Sequence, residues 1–283
     1  MKTIPDFDED TTTKLLKGIV IPSQPSILQN AMAEKQQEYP DLRKIAAIVS
    51  KDVALSAAML RAANSPAFAL RNKVSSIPTA VMLLGTRNVM SIITGLSLRM
   101  TLSKGGMKLE HFWEITSDTA VVCSVLAQKF HVMNPDQAYM LGLFHDCGIP
   151  LMMQHFKDYS EVLQKESVDT EASITEIEDR CFNTNHAVIG YLIARSWGLP
   201  DKIRETILFH HDDEELFADH DTTQLSKQIG LLIISEYLSE LFHSASINDA
   251  WTRVGGDVMR IYNLSEGDVH DLSEDISDML SNL

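Results

Sequence analysis

The chain has 283 residues, and 45% of them are hydrophobic. This length can bury a sizeable core in one large domain or two smaller ones, and the apolar share argues against disorder. The formal net charge is -15, with acidic stretches at residues 211–221 and 265–278. Such a surface repels phosphate groups, so we expect no direct binding of nucleic acid.

The sequence shows no sign of a membrane span, a signal peptide or a disulfide framework. The longest apolar runs, such as IGLLII at 229–234, are far shorter than the ~20 residues that a spanning helix needs. Residues 1–10 lack the apolar core of a signal peptide. Cys123, Cys147 and Cys181 form no CxxC pair, which also argues against a zinc ribbon. We therefore expect a cytoplasmic protein without membrane insertion.

Nearly every segment has the apolar periodicity of an amphipathic helix, and no stretch alternates convincingly like a strand. In chain order, helices are predicted over residues 40–50, 51–66, 76–85, 86–100, 110–130, 134–148, 185–198, 201–211, 224–242 and 273–283. Asp52 and Asn134 are favoured at helix starts, Pro135 at a first helical position, and Gly85 and Gly198 at helix ends. The sequence therefore predicts an all-α fold.

The clearest linker is SKGG at 103–106, where two glycines interrupt the helical pattern. It divides the chain into a predicted N-terminal helical lobe, residues 1–105, and a second helical lobe, residues 106–283, whose last helix is acidic. Arg61 and Asn64 are polar residues at the end of an otherwise apolar helix. We interpret them first as a structural lock of that helix end and second as a binding surface.

Six well-spaced blocks carry the most distinctive sequence. They are IPSQPSILQNAM (21–32), LRKIAAIVSKDVALSAAMLRAANSPAF (42–68), KVSSIPTAVMLLGTRNV (73–89), FWEITSDTAVV (112–122), AYMLGLFHDCGIPLM (138–152) and NHAVIGYLIARSWGLPDKIRETILFHH (185–211). In this order they resemble the HDOD family, bacterial signalling domains related to the HD phosphohydrolases. The resemblance spans residues 15–215 and implies a two-lobed, all-helical HDOD fold with an HD-like C-terminal lobe.

The resemblance also implies where the metal ligands of a catalytic HD protein should lie. Those ligands are a His on one helix, a His–Asp pair on the next and an Asp on a later helix. The pair is present as His145 and Asp146, which are the candidate catalytic residues. The first His corresponds to Ile115, which cannot bind a metal. The last acid corresponds loosely to Glu236, with Ser235 as the alternative.

Two more departures from the family pattern follow the pair. The lysine that often comes next in the family, suited to contacting phosphate, is Ile149 here. Pro150 in a helix would clash with the carbonyl of Asp146 and leave it without a partner, at a cost of ~3 kcal/mol. We therefore expect the helix to kink or stop just after the His–Asp pair.

Three further histidines are candidates for a residual metal site with His145 and Asp146, because imidazole and carboxylate together suit divalent metals. These are His186, His210 and His211. Alternatively, His186 lies on the surface at a helix start, and the other two cap a helix end beside solvated acids that keep them charged. A buried His with a carboxylate can also simply pin helices together. We expect no cofactor, with a divalent metal as the alternative.

The missing ligand and the missing lysine favour a non-catalytic HDOD signal transduction module. Its partners would be signalling proteins, a role that the resemblance implies. The first alternative is a metal-dependent phosphohydrolase that acts on a nucleotide or cyclic nucleotide. The second is a sensor that binds a nucleotide in the old cleft without cleaving it.

Overall fold

The computed structural model describes residue 16 and residues 18–65, 73–103, 109–169, 172–218, 222–243 and 249–282. These residues form helices and connecting segments, and none of them is in a strand, which confirms the all-α prediction. The helices are α1 (Ser26–Lys35), α2 (Leu42–Val49), α3 (Val53–Ala63), α4 (Ile77–Leu102), α5 (Glu110–Phe130), α6 (Pro135–Phe144), α7 (Gly148–His155), α8 (Tyr159–Asp169), α9 (Ile174–Phe182), α10 (His186–Ser196), α11 (Asp201–Phe209), α12 (Asp213–Ala218), α13 (Gln224–Phe242), α14 (Asp249–Tyr262) and α15 (Glu266–Ser281).

The chain divides into two compact units, and each unit is built from two separate segments. One unit comprises Met1–Ser23 and Leu102–His270, and the other comprises Gln24–Thr101 and Asp271–Leu283. The boundary predicted between residues 105 and 106 lies outside the described residues, as does most of SKGG. It therefore stays a prediction.

In the unit that contains α1–α4, helix ends follow the expected capping chemistry. The Asp52 side chain accepts a hydrogen bond from the Leu55 N–H and so caps α3. Beyond α3, the Asn64 side chain donates to the carbonyls of Leu60 and Val74, each at 2.8 Å, and accepts from the Val74 N–H at 2.7 Å. Asn64 thereby joins the helix end to a later segment, which confirms its interpretation as a structural lock.

Helix α4 is the one helix among the described residues that is long and apolar enough to cross a membrane, judged by length and composition only. Gly85 interrupts it with a φ of 73° and a ψ of 168°, so a helix end lies at this glycine as predicted, but in an extended positive-φ conformation open only to glycine and not in the left-handed helical one. Neither part of α4 therefore reaches the ~20 residues that a span needs. Moreover, 44% of its most apolar window is buried inside the protein.

The larger unit is organised around the close packing of α5 against α6. A Cβ atom on Gly142 would lie 2.7 Å from the Cα of Ala120, so only a glycine permits this approach. The side chains of Leu126 in α5 and of Leu141 and Phe144 in α6 are fully buried. Because α6 leads directly to the His–Asp pair, this packing fixes where the pair lies.

The His–Asp pair lies in a break between α6 and α7, and not within a helix. Helix α6 starts at the Asn134 cap, as predicted, and ends at Phe144. Helix α7 then begins at Gly148. The regular helix is therefore interrupted by turns at residues 145–147, across the pair, whereas the sequence predicted a kink or stop just after it. His145 itself keeps right-handed helical dihedral angles, and its N–H donates to the Leu141 carbonyl.

Pro150 is accommodated without the expected loss of a hydrogen bond. It is the third residue of α7, where a backbone N–H would have no partner within the helix. The Asp146 carbonyl accepts a hydrogen bond from the Ile149 N–H at 2.9 Å. The expectation that this carbonyl is left without a partner was therefore wrong.

Candidate metal centre

Side chains from the α6–α7 break, α10, the end of α11 and α13 converge at Asp146. Its Oδ2 lies 3.2 Å from the Nε2 of His145, and its Oδ1 lies 3.3 Å from the Nε2 atoms of both His186 and His210. The structure thus brings together the histidines that the sequence singled out. They lie up to 66 residues apart in the chain, and only tertiary packing makes them neighbours.

The acid that completes the first half of the centre is Glu236 of α13. Its Oε1 lies 3.0 Å from the Nε2 of His145. The alternative, Ser235, is fully buried and donates its hydroxyl to the Leu231 carbonyl of its own helix at 2.7 Å. Of the two positions considered from the sequence, Glu236 is therefore the one that reaches the centre.

Each of three histidines is held by its Nδ1 atom. In His145 this atom lies 2.8 Å from the carbonyl oxygen of Gly142, and in His210 it lies 2.7 Å from that of Ile207. In His186 it lies 2.7 Å from Glu178 Oε2. A carbonyl can only accept, so Nδ1 carries a proton in His145 and His210, and in the neutral form of either ring the lone pair is on Nε2.

The two histidines at the end of α11 belong to this cluster, His210 buried and His211 half-buried. His210 is only 4% exposed, and its Nε2 has no hydrogen-bond partner. The Nε2 of His211 lies 2.9 Å from that of His186. Asp213 is also buried and pairs with Arg253 at 2.8 Å. The alternative of a helix end beside solvated acids was therefore wrong for His210 and Asp213, and a surface position was wrong for His186, which is fully buried.

Burial and neighbouring charges shift the pKa values of the cluster in opposite directions. Burial lowers the pKa of His145, but the Asp146 and Glu236 carboxylates outweigh it and hold that pKa well above its usual value. Burial also lowers the pKa of His186, but the Glu178 and Asp146 carboxylates outweigh it and raise that pKa to about 10. The pKa of His211 is held well below its usual value by burial and by the nearby histidines, so acids do not keep it charged as expected.

The residues fit a divalent metal. One group, formed by Asp146, His186, His210 and His211, has a ligand atom from each residue within 4.8 Å of all the others, and a second, formed by His145, Asp146 and Glu236, meets the same limit. Nitrogen and carboxylate oxygen ligands with Nδ1 held by a carbonyl or carboxylate are typical of metal-binding histidines. The buried Nε2 of His210, without a hydrogen-bond partner, is the atom that such an ion would satisfy.

Helix α5 supplies no ligand to either group among the described residues. Ile115, the position that the resemblance assigns to the first His, is a half-buried residue of α5. Ile149, at the position of the lysine, is half-buried in α7. Among the described residues, neither departure noted in the sequence is therefore compensated by another ligand from α5.

The centre opens into a cleft of about 1000 Å³ in the same unit. His210 and His211 line its base, and the sole Lys or Arg among the described lining residues is Arg253, the partner of Asp213. Nine lining residues are acidic: Asp146, Glu176, Asp179, Asp212, Asp213, Glu215, Glu236, Glu240 and Asp249. The cleft is therefore strongly electronegative, a property that favours cations and disfavours phosphate groups.

Comparison with protein families gives one match that covers most of the chain. The model of the HDOD domain matches residues 21–213. The chain belongs to the HDOD domain family. The matched region contains the whole candidate centre except Glu236. This confirms the family that the six sequence blocks indicated.

A curated relative of this HDOD protein is longer than the chain. An uncharacterized protein from Treponema pallidum is 26% identical over 211 residues, which are 71% of this chain but 40% of that protein. The chain therefore spans less than half the length of that relative.

Solved structures share the HDOD fold over nearly the whole chain. An HDOD domain protein of unknown function from Geobacter sulfurreducens is 21% identical with a TM-score of 0.71, and covers 97% of each chain. A candidate phosphohydrolase from Shewanella amazonensis SB2B is 22% identical with a TM-score of 0.70, over 94% of this chain and 93% of that one. A candidate signal transduction protein from Marinobacter aquaeolei VT8 is 19% identical with a TM-score of 0.71, over 95% of this chain and 59% of that one. At these identities the likeness shows the fold alone.

Proposed function

We propose that this HDOD protein is a signal transduction module that binds a divalent metal in its HD-like cleft and does not hydrolyse phosphate esters. The observation that carries the proposal is the composition of the centre, which has a well-oriented set of histidines and carboxylates but no ligand from α5. On one side of the Asp146 carboxylate, the ligands would be His145 and Glu236 together with Asp146 itself. On its other side, they would be His186, His210 and His211. A metal in such a site acidifies bound water and polarises a phosphoryl oxygen.

The charge of the cleft supports a role without phosphate chemistry. Phosphoryl transfer depends on cationic groups that neutralise the charge developing on the phosphate. Here Arg253 is the one Lys or Arg among the described lining residues, and it pairs with the buried Asp213. The position of the family's lysine is Ile149. Substrate phosphates would therefore meet carboxylates where a hydrolase presents positive charge.

Family membership and the name of the Marinobacter aquaeolei neighbour support the signalling role. In this role the partners would be other signalling proteins, and the metal would stabilise one conformation of the unit that contains the cleft. A ligand that binds one conformation better than another shifts their populations by its differential affinity. A metal at a junction of four helical elements is well placed to do this.

The test is a hydrolysis assay of the purified protein in Mn²⁺ or Ni²⁺, with mononucleotides, cyclic nucleotides and a generic aryl phosphate. We expect metal to bind and no phosphate to be released above the rate of buffer alone. The control is Asp146→Asn, which removes a carboxylate oxygen from the middle of the cluster. Phosphate release by the wild-type protein that requires metal and disappears in Asp146→Asn would overturn the proposal.

The second candidate is a metal-dependent phosphohydrolase. It is favoured by the two ligand groups that share Asp146, because adjacent metal sites commonly stabilise both the attacking and the leaving oxygen of a phosphate ester. The name of the Shewanella amazonensis neighbour points the same way. The assay above distinguishes this candidate from the first.

A further inference from the structure

His186 is held by two buried side chains that carry no metal-ligand pattern in the sequence. Glu178 of α9 uses both carboxylate oxygens. Its Oε2 accepts from the His186 backbone N–H at 2.9 Å and lies 2.7 Å from the ring Nδ1, while its Oε1 accepts from the Tyr159 hydroxyl. Building on the metal site proposed above, we infer that Glu178 and Tyr159 are positioning residues that fix how His186 presents its Nε2 to the ion.

Burying the Glu178 carboxylate costs free energy of folding, so a purely structural role explains this residue poorly. It has no exposed surface, and a buried carboxylate is tolerated only when donors surround it. Its three donors all come from His186 and Tyr159. Apolar residues of similar volume often replace a buried ion pair without loss of stability, so folding alone does not require a carboxylate here. The retained charge is therefore best explained by its effect on the histidine.

The contacts of Glu178 fix both the backbone and the ring of His186. This histidine is the first residue of α10, where the backbone N–H has no partner in the helix. The carboxylate satisfies that N–H and also binds Nδ1, so the ring cannot turn without breaking a bond to the same group. Its Nε2 is then held 3.3 Å from Asp146 Oδ1 and 2.9 Å from His211 Nε2.

Tyr159 of α8 fixes the carboxylate in turn. Its hydroxyl is buried, and burial together with the Glu178 charge raises its pKa far above the usual value, so it stays a donor at neutral pH. By donating to Oε1 it leaves Oε2 facing α10. The three residues thus form a chain from α8 through α9 to the metal centre, the arrangement that generally orients a ligand and increases its basicity.

The test is titration of the purified protein with Co²⁺, whose visible d–d absorption reports the ligand field. In Glu178→Gln an amide replaces the carboxylate and cannot accept at both oxygen positions, so we expect the Kd for Co²⁺ to weaken roughly 10–100-fold. The d–d spectrum should change as well, since His186 is no longer held. Tyr159→Phe should shift the Kd and the spectrum less, in the same direction.

Two matched controls separate positioning from general stability. Asp118→Asn alters another carboxylate–histidine pair, half-buried, in which Asp118 Oδ2 lies 2.8 Å from His243 Nε2 outside both ligand groups. Tyr262→Phe removes another tyrosine hydroxyl, which donates to the Lys227 carbonyl. We expect both controls to keep the wild-type Kd and spectrum.

The inference fails if folded Glu178→Gln and Tyr159→Phe bind Co²⁺ with the Kd and spectrum of the wild-type protein. If Glu178→Gln does not fold, as judged by far-UV circular dichroism, Tyr159→Phe alone decides. A wild-type protein that binds no metal would instead refute the metal site of the proposed function, and this inference with it. If the wild-type protein binds Co²⁺ and both variants bind it with the same Kd and spectrum, only the positioning role is refuted.

Discussion

His186 links the protonation of the centre to the stability of the metal-free protein. Its pKa rises from 6.5 to about 10 on folding because the Glu178 and Asp146 carboxylates outweigh burial. The protonated ring therefore stabilises the folded state fully below about pH 6.5, and this contribution is lost as the pH rises towards 10. His145 acts in the same sense. His211, whose folded pKa is lowered, contributes in the opposite sense, and only near pH 7, where its unfolded form still binds some protons.

We expect the free energy of unfolding in the presence of a chelator to fall between pH 7 and pH 9.5. The slope is at most about 1.4 kcal/mol per pH unit for each proton released on unfolding. Urea melts across this range measure it. In His186→Gln the slope should be smaller, and an unchanged slope would show that other groups cause it.

Gly148 is required by a contact between backbones at the site. A Cβ atom on this residue would lie 2.1 Å from the His186 carbonyl oxygen, and a backbone oxygen cannot move aside as a side chain can. We expect Gly148→Ala to lower the free energy of unfolding by about 3 kcal/mol or more. Gly256→Ala in α14 is the control, because its Cβ would meet no atom within 4 Å.

Urea denaturation compares the two glycine variants. Gly256→Ala should stabilise the protein by about 0.5–1 kcal/mol, since alanine is the better helix former. Equal stability of both variants would contradict the steric argument. The close contact with the His186 carbonyl would then explain why Gly148, two residues after Asp146, is a glycine.

The sequence predicts the location of some residues of the site and not of others. The resemblance singled out His145 and Asp146 because their spacing matches a family pattern, and both lie at the centre. Glu178 gave no such signal, because it stands in EIEDR, a stretch that looks like a solvated acidic helix face. Only the packing of α8, α9 and α10 buries it against a histidine. The residues that orient ligands are thus harder to predict than the ligands themselves.

At the scale of elements, local chemistry predicted helix starts well and the break at the site poorly. Asp52 and Asn134 cap α3 and α6 as expected, since capping depends only on residues within one turn. The break between α6 and α7 was predicted just after the pair, because only the effect of Pro150 on the helix that precedes it was considered. Two helices can instead meet around the pair, with the proline in the first turn of the second.

This position of Pro150 makes Pro150→Ala a mild substitution. A proline in the first helical turn breaks no hydrogen bond and restricts the unfolded chain, so we expect its removal to destabilise the protein by about 0.4–1 kcal/mol. Metal affinity should not change, because the Asp146 carbonyl keeps its bond from Ile149. Urea melts and Co²⁺ titration check both statements. A gain of ~3 kcal/mol would instead show that the proline strains the site.

At the scale of the whole molecule, the excess of acids is visible in the sequence, but its location is not. Acidic residues from the α6–α7 break, α9, the α11–α12 connection, α12, α13 and α14 line one cleft, although they are spread between residues 146 and 249. The composition shows that the chain is rich in acidic residues, but only the packing of the helices brings these acidic residues together in the cleft. This concentration turns a general property, the charge of -15, into a specific preference for cations at one site.

The cleft should therefore distinguish cations from nucleotides in a thermal-shift experiment. A metal that binds only the folded state adds about 2.7 kcal/mol of stability at 100 times its Kd. For a protein of this size that raises Tm by roughly 5 °C or more. We expect Mn²⁺ or Zn²⁺ to do so in the wild-type protein and to have a much smaller effect on Asp146→Asn. Adenosine triphosphate in a chelator should leave Tm unchanged, because the carboxylates repel its phosphates. A rise in Tm with the nucleotide alone would contradict the electrostatic argument and support a nucleotide sensor.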